Sequence, residues 1–298
     1  MRVQARLFPL GEASQKILSS LLPANAIPTS GRYPMDVEDP LLERILEEGE
    51  RSNGFWVGGE SVYSMADLCA CTHFEAVCRK IVRESRQDFA ANDALRARTP
   101  LRFAGGAEPI RLLAGVSLTR IPLKPNMVGS VGEWTQEYVL GAGVVKAFRD
   151  AEFTGAAFLP VTNPRTGTAH ERFAHLFTES LLPTAVMDES VERIRSQFKE
   201  EDGALRHLGC LGYDPAALVG RADFNRSAEP WGGSHGWPSW VVSARVMEVF
   251  KTARLRGWHF RPVLTRGSDI YAQYLERWRR LRSLVAGTRK SLMDGGRW

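Results

Sequence analysis

The sequence predicts an α+β protein built on two related strand-helix-strand units in a mixed sheet arrangement. An N-terminal helical and mixed region precedes them, and a C-terminal amphipathic helix follows. The first observation behind this is a repeat: residues 138–161, YVLGAGVVKAFRDAEFTGAAFLPV, and 240–263, WVVSARVMEVFKTARLRGWHFRPV, align without a gap at an offset of 102. Nine of the 24 positions are identical, Phe148/Phe250, Gly155/Gly257, Phe158/Phe260 and Pro160/Pro262 among them. Matching by composition at roughly 6% per position would leave only one or two. The second observation is shared punctuation, since each copy has an apolar strand, an apolar stripe at helical spacing and a glycine before extended structure resumes. The third is the i, i+3, i+4 run of Ile270, Tyr271, Tyr274, Leu275, Trp278, Leu281 and Leu284 near the end.

Taken in order, Val3, Ala5 and Leu7 alternate with Arg2, Gln4 and Arg6 as a half-buried strand does, until Pro9 and Gly11. A helix is expected over residues 13–22, then a proline-rich connection over 23–34. Asp39 followed by Pro40 reads as a cap and first helical turn leading into LLERILEEGE. Residues 64–90 read as one helix, with Ser64 as N-cap and Asp67 completing a capping box. Between 95 and 133 four prolines break the chain into short strands, of which 110–118 is the best candidate. A domain division into 1–128 and 129–298 follows from this punctuation, the second part holding both repeats and the C-terminal helix. In the second repeat Ser243 sits at the helix start, and Val246, Met247, Val249 and Phe250 form the stripe. Residues 269–285 form the last helix, with Arg277, Arg279, Arg280 and Arg282 off its apolar face.

Composition narrows the function classes. At 298 residues with 44% hydrophobic and 24% charged residues, the chain can bury a substantial core. It has no run of about 18 apolar residues and no signal-like apolar stretch at its start, and four cysteines are too few for a disulfide framework, so a cytoplasmic location is expected. The net charge of +5 is uneven, because residues 251–298 hold 12 Lys and Arg against three acidic residues. That end is a solvated helix face or a surface for an acidic or phosphate-bearing partner.

Motifs for catalysis are weak. Cys69, Cys71, His73 and Cys78 have metal-ligand chemistry, but on one continuous helix they fall on different sides, so no metal is expected. Residues 232–236, GGSHG, match the G-x-S-x-G elbow in letters only: 225–231 carry no strand pattern, and Trp237-Pro238 follows where a helix should begin. Gly141-Ala142-Gly143 opens a helix but lacks the third glycine of a dinucleotide loop, Lys146 standing in its place. No H-E-x-x-H, Walker loop or paired C-x-x-C is present, and no cofactor is expected. The most unusual stretch is EPWGGSHGWPSW, residues 229–240. Its Trp231, His235 and Trp237 are the candidate partner-binding residues, since tryptophans are favoured interface anchors; the alternative is a loop folding its tryptophans over a sheet edge.

The second repeat and its lead-in, LGYDPAALVGRADFNRSAEPW, resemble the C-terminal region of bacterial double-CXXCG motif proteins and related polymorphic-toxin immunity proteins. Ser243, Arg245, Gly257, Phe260, Pro262 and Val263 carry the resemblance, which covers roughly residues 130–265. The paired C-x-x-C-G knuckles are absent and Cys210 stands alone, so no zinc is carried over. The resemblance implies a non-enzymatic, immunity-like protein that neutralises a cognate toxin by steric occlusion. The alternative is a nucleic-acid-binding protein using Arg277, Arg279, Arg280 and Arg282, whose affinity would fall steeply with salt. A third reading is an enzyme centred on Ser234 and His235.

Overall fold

The computed structural model describes residues 1–10, 12–22, 33–50, 55–99, 101–102, 110–132, 136–186, 191–194, 204–207, 210–231, 237–286 and 292–294. The chain runs β1 (Arg2–Pro9), α1 (Glu12–Leu21), β2 (Tyr33–Asp36), α2 (Pro40–Glu50), β3 (Phe55–Val62), α3 (Met65–Cys69), β4 (His73–Cys78), β5 (Ile81–Val82) and α4 (Arg86–Arg98). It continues through β6 (Leu101–Arg102), β7 (Ile110–Arg111), β8 (Val116–Ser117), β9 (Val128–Val131), β10 (Tyr138–Gly141), α5 (Ala142–Asp150), β11 (Ala157–Thr162) and β12 (Ala169–Phe177). The remainder is β13 (Val191–Ile194), β14 (Ala204–His207), β15 (Gly212–Tyr213), α6 (Pro215–Leu218), β16 (Phe224–Trp231), β17 (Trp237–Ser243), α7 (Ala244–Thr252), β18 (Trp258–Thr265), α8 (Asp269–Ala286) and β19 (Leu292–Asp294). This is the expected α+β class, and both repeats fold as strand-helix-strand: β10-α5-β11 and β17-α7-β18.

The N-terminal sheet has the order β19-β3-β1-β2. Val3, Ala5 and Leu7 are fully buried, as their alternation requires. The α8 helix packs on β1, β3 and β18 and so joins this sheet to the duplicated part. Its apolar stripe does this: Tyr271, Tyr274, Trp278, Leu281 and Val285 are buried, and the Trp278 indole N–H donates to Ser61 Oγ at 3.1 Å.

The other two large sheets have one plan. Their orders are β5-β9-β10-β12-β11-β8 and, leaving aside the edge strand β13, β14-β16-β17-β4-β18-β15. Corresponding neighbours pair in the same sense, parallel at both outer pairs and antiparallel inside. The registers agree residue by residue. Val139 opposes His175 and its counterpart Val241 opposes Glu75; Leu140 opposes Ala174 and Val242 opposes Phe74. The duplication is therefore larger than the 24-residue match, running from β4 to β11 in the first copy and from β12 to β18 in the second. Each copy also gives its first strand to the other. The β4 strand lies between β17 and β18, and β12 lies between β10 and β11. Strand pairing thus crosses residue 128 and joins the chain's two parts.

Even the irregular positions recur. Glu152 and Arg254, 102 apart, both have φ of 52°, and Gly155 and Gly257 have φ of 77° and 109°. Beside them the copies grip each other by matching bonds, with Phe224 N–H donating to Thr154 O at 3.1 Å and Val128 N–H to Arg256 O at 2.8 Å.

Two expectations are corrected. Residues 64–90 are not one helix. The Ser64/Asp67 capping box is present but α3 ends at Cys69, after which come β4, β5 and a second helix capped by Ser85 and Asp88. His73, Phe74, Glu75 and Ala76 are all buried, because β4 is a central strand covered on both faces. Residues 225–231, read as lacking a strand pattern, belong to β16, paired with β17 around an irregular register between Arg226 and Pro230. In addition, 110–118 forms two short strands, β7 and β8, instead of one. Among the described residues no helix is long and apolar enough to cross a membrane.

Candidate functional site

The densest cluster of chemistry lies inside, where the copies meet. Arg226, on β16, is 2% exposed, and its guanidinium sits 4.4 Å over the Trp240 ring. One Nη donates to Gln136 O at 3.0 Å and Pro238 O at 2.9 Å, carbonyls at equivalent positions of the two copies. The other donates to Glu137 Oε1 at 2.8 Å, and Glu137 Oε2 meets His175 Nε2 at 2.8 Å. Burial alone would raise the Glu137 carboxyl, but the Arg226 charge and the His175 hydrogen bond together hold it below the usual range. The second copy repeats the arrangement with smaller groups: Ser239, equivalent to Glu137, donates to Glu75 Oε1 at 2.8 Å, and Glu75 is equivalent to His175. Tyr138 and its counterpart Trp240 stack on each other at 5.9 Å, which places the pseudo-twofold axis between them. An acid, a base and a cation are within hydrogen-bonding reach here, yet Glu137 and His175 are 2% and 0% exposed. No substrate atom reaches them in this state.

Asp223, Ser243 and Arg245 form a second internal device. The Asp223 carboxylate accepts from Ser243 Oγ at 2.7 Å, Thr154 N–H at 3.0 Å and Arg245 Nη1 at 3.1 Å. Arg245 also donates to Ala151 O and lies 5.0 Å over the Phe153 ring. Thr154, Ala151 and Phe153 belong to the first copy, so the Ser-x-Arg helix start is a clamp between copies. Burial pushes the Asp223 carboxyl up, but these partners hold it below its usual value. At the equivalent place in the first copy, Gly143 N–H and Val144 N–H donate to Pro125 O at 2.9 and 3.2 Å. The Gly-Ala-Gly helix start is thus filled by a backbone carbonyl, where a dinucleotide would need room for phosphate.

A third buried group stands beside a strap. Glu229 is 2% exposed, its Oε1 accepts Ala185 N–H at 2.7 Å, and its Oε2 has no hydrogen-bond partner among the described residues. Burial raises its carboxyl from 4.5 to about 7. A carboxyl raised in the fold contributes stability below its unfolded pKa that is lost as pH climbs through the folded pKa. At about 1.4 kcal/mol per unit this amounts to roughly 3 kcal/mol. His259, lowered to about 4 chiefly by burial, works with the opposite sign in an overlapping window. The readout is therefore a difference: relative to Glu229→Gln, the wild type is expected to lose roughly 3 kcal/mol of urea-measured stability between pH 4.5 and 8. Parallel pH profiles for the two proteins would contradict this.

Of the residues singled out from the sequence, Trp231 and Trp237 stand opposite each other as the last pair of β16 and β17. His235, with the rest of 232–236 including Ser234, lies outside the described residues. The element that follows is the strand β17 from Trp237, where a nucleophile elbow requires a helix. On α8, Arg277 and Arg280 reach Glu38 at 3.7 and 3.6 Å, and Arg279 and Arg282 also have partners in the fold. Cys69 and Cys71 lie at the end of α3 and beyond it, whereas His73 and Cys78 are the two ends of β4. The single-helix argument against a metal therefore does not apply. Among the described residues no group of three or more His, Cys, Asp or Glu side chains is placed to hold a metal ion.

Sequence reasoning missed Arg226, Glu137, His175 and Glu75. One signal was present, since Glu137 lies a single residue before the first repeat. On the outside, an open groove of about 500 Å³ lies between α5 and β11 of the first copy and β12 of the second. No protein-family model matches this chain, and no curated protein matches it.

Proposed function

We propose that the chain is a non-enzymatic binding protein that neutralises a cognate protein toxin by steric occlusion, as the resemblance to immunity proteins implies. The observation that carries this reading is the use of the chain's acid-base groups. Glu137, His175 and Arg226 are buried against one another, and Asp223 and Arg245 clamp one copy to the other. Such groups serve a rigid scaffold, and a preformed surface on a rigid scaffold keeps the ordering cost of association low. Trp231 and Trp237, the last pair of β16 and β17, together with His235 are the proposed anchors, and the location proposed is the cytoplasm of the producing cell.

The test is co-expression with the tagged product of the adjacent gene, scored by co-purification and by rescue of growth in cells making that product. The expected result is a stable complex and rescue, with Trp231→Ala/Trp237→Ala weakening both. Absence of a complex together with absence of rescue would overturn the reading.

A further inference from the structure

The two copies provide an internal comparison, and the groove beside α5 is where their sheets differ most. Its floor is made of residues the copies share: Phe158 and Pro160 on β11 have the counterparts Phe260 and Pro262 on β18. In the sheet of β17 and β18 the proline of this floor is covered, whereas Phe260 is half-buried like Phe158. Phe74 on β4 is fully buried and meets the Phe260 ring edge-on at 6.5 Å, and Pro262 is buried. In the sheet of β10 and β11 the residue equivalent to Phe74 is Ala174, by the matching registers of β12 and β4. A methyl replaces a phenyl ring, and Pro160 is exposed. The groove lies where this aromatic is missing.

The rim differs too. Arg149 on α5 and Arg172 on β12 are both exposed, and neither has an ion-pair partner among the described residues. The Arg149 guanidinium lies 5.4 Å over the Phe158 ring, which orients it at the mouth of the groove. Lys146 is tied to Asp150 at 2.5 Å, and His170 Nε2 is tied to Leu118 O at 2.7 Å, so these two are engaged locally. Glu171 is the other acidic group on the rim. At the positions of Lys146, Arg149 and Arg172 the other sheet has Glu248, Lys251 and Thr72. The cation at the Arg149 position is kept as Lys251, so the groove differs in carrying a second unpaired cation, Arg172, where the other sheet has Thr72. A cavity of this size with an apolar floor and a few convergent polar groups has the build of a binding site.

We infer that this groove is the docking site for a segment of the protein partner that alternates carboxylate and apolar side chains. The apolar groups cover Phe158 and Pro160 while the carboxylates pair with Arg149 and Arg172. The identity of the partner rests on the function proposed above, but the groove's preference for such a segment can be measured without it.

The probe is a short fluorescein-labelled peptide alternating glutamate with leucine or phenylalanine, and the control is the same peptide with lysine for glutamate. Fluorescence anisotropy with the full chain is expected to show binding of the acidic peptide only, weakening as salt rises. Arg149→Glu/Arg172→Glu and, separately, Ala174→Phe, which copies the sheet of β17 and β18, are expected to weaken it at least about tenfold. Arg149 and Arg172 are exposed and Ala174 is half-buried at the groove floor, and melting temperature checks the fold of both variants. Equal binding of the two peptides, no binding of either, or wild-type affinity in both variants would overturn the inference. The adjacent-gene product separates the two proposals. If it binds the wild type and Arg149→Glu/Arg172→Glu equally well, the groove assignment fails and the occlusion reading survives. If it binds neither while the acidic peptide binds, the occlusion reading fails and the groove assignment survives.

Discussion

Arg226→Ala is expected to destabilise the protein by about 3–5 kcal/mol, the cost of breaking a buried ion pair from one side. Glu137 is 2% exposed and would keep only its hydrogen bond to His175, while the carbonyls of Gln136 and Pro238 would lose a common donor. That loss is a large share of the roughly 5–15 kcal/mol that holds a domain together. The damage should come from the orphaned charge and not from any net strength of the pair. Arg226→Met combined with Glu137→Gln is therefore expected to recover much of the loss, since apolar or neutral replacement of a buried pair is often tolerated. Urea unfolding measures both. A cost below about 1 kcal/mol for Arg226→Ala would show that the network does not join the copies.

Gly257→Ala is expected to do comparable harm by a different route. With φ at 109°, a Cβ at Gly257 would lie 2.1 Å from Val128 O and 2.9 Å from Val128 C, both backbone atoms. The left-handed conformation alone costs about 1–3 kcal/mol for a residue with a side chain. The clash adds to it, because β18 must move away from β9 and break the Val128 N–H to Arg256 O bond. A total of about 4 kcal/mol or more is expected, in the range reserved for severe single changes. Gly167→Ala is the control: its φ is 72° and nothing lies within 4 Å of the added Cβ, so only the conformational part remains. Equal effects of the two changes on urea unfolding would contradict the close approach of the copies.

Much of this architecture was legible because its signals are local. The Ser64/Asp67 box, the Asp39-Pro40 start and the stripe of α8 are read within a few residues, and all three appear where the spacing predicts. The repeat was legible because its shared positions are core and turn residues, whose packing leaves few substitutes. The β4 strand was not. A central strand buried on both faces has no period of two to detect, and its partners β17 and β18 lie more than 150 residues downstream. Exchange of first strands between copies is equally silent, since it changes which strands are neighbours without changing any residue. The buried network was hidden because Arg226 and His175 come from distant strands whose sequences look like solvated ones. The groove was hidden for a simpler reason: it is marked by the absence of a ring at Ala174, which has meaning only once Phe74 is seen in the matching place.

The interleaving of the two copies is tested most directly by cutting the turn between them. Residues 163–168 join β11 to β12 on the surface, and a specific protease site placed there separates the first copy from the second without touching a strand. Each piece then lacks the central strand of its own sheet, because β4 is built into the second copy and β12 into the first. Gel filtration and circular dichroism of the cut protein provide the measurement. The expected result is a single folded species of intact size that parts only when urea unfolds it, yielding pieces that do not fold alone. Two pieces that separate under native conditions and each keep their sheet would contradict it.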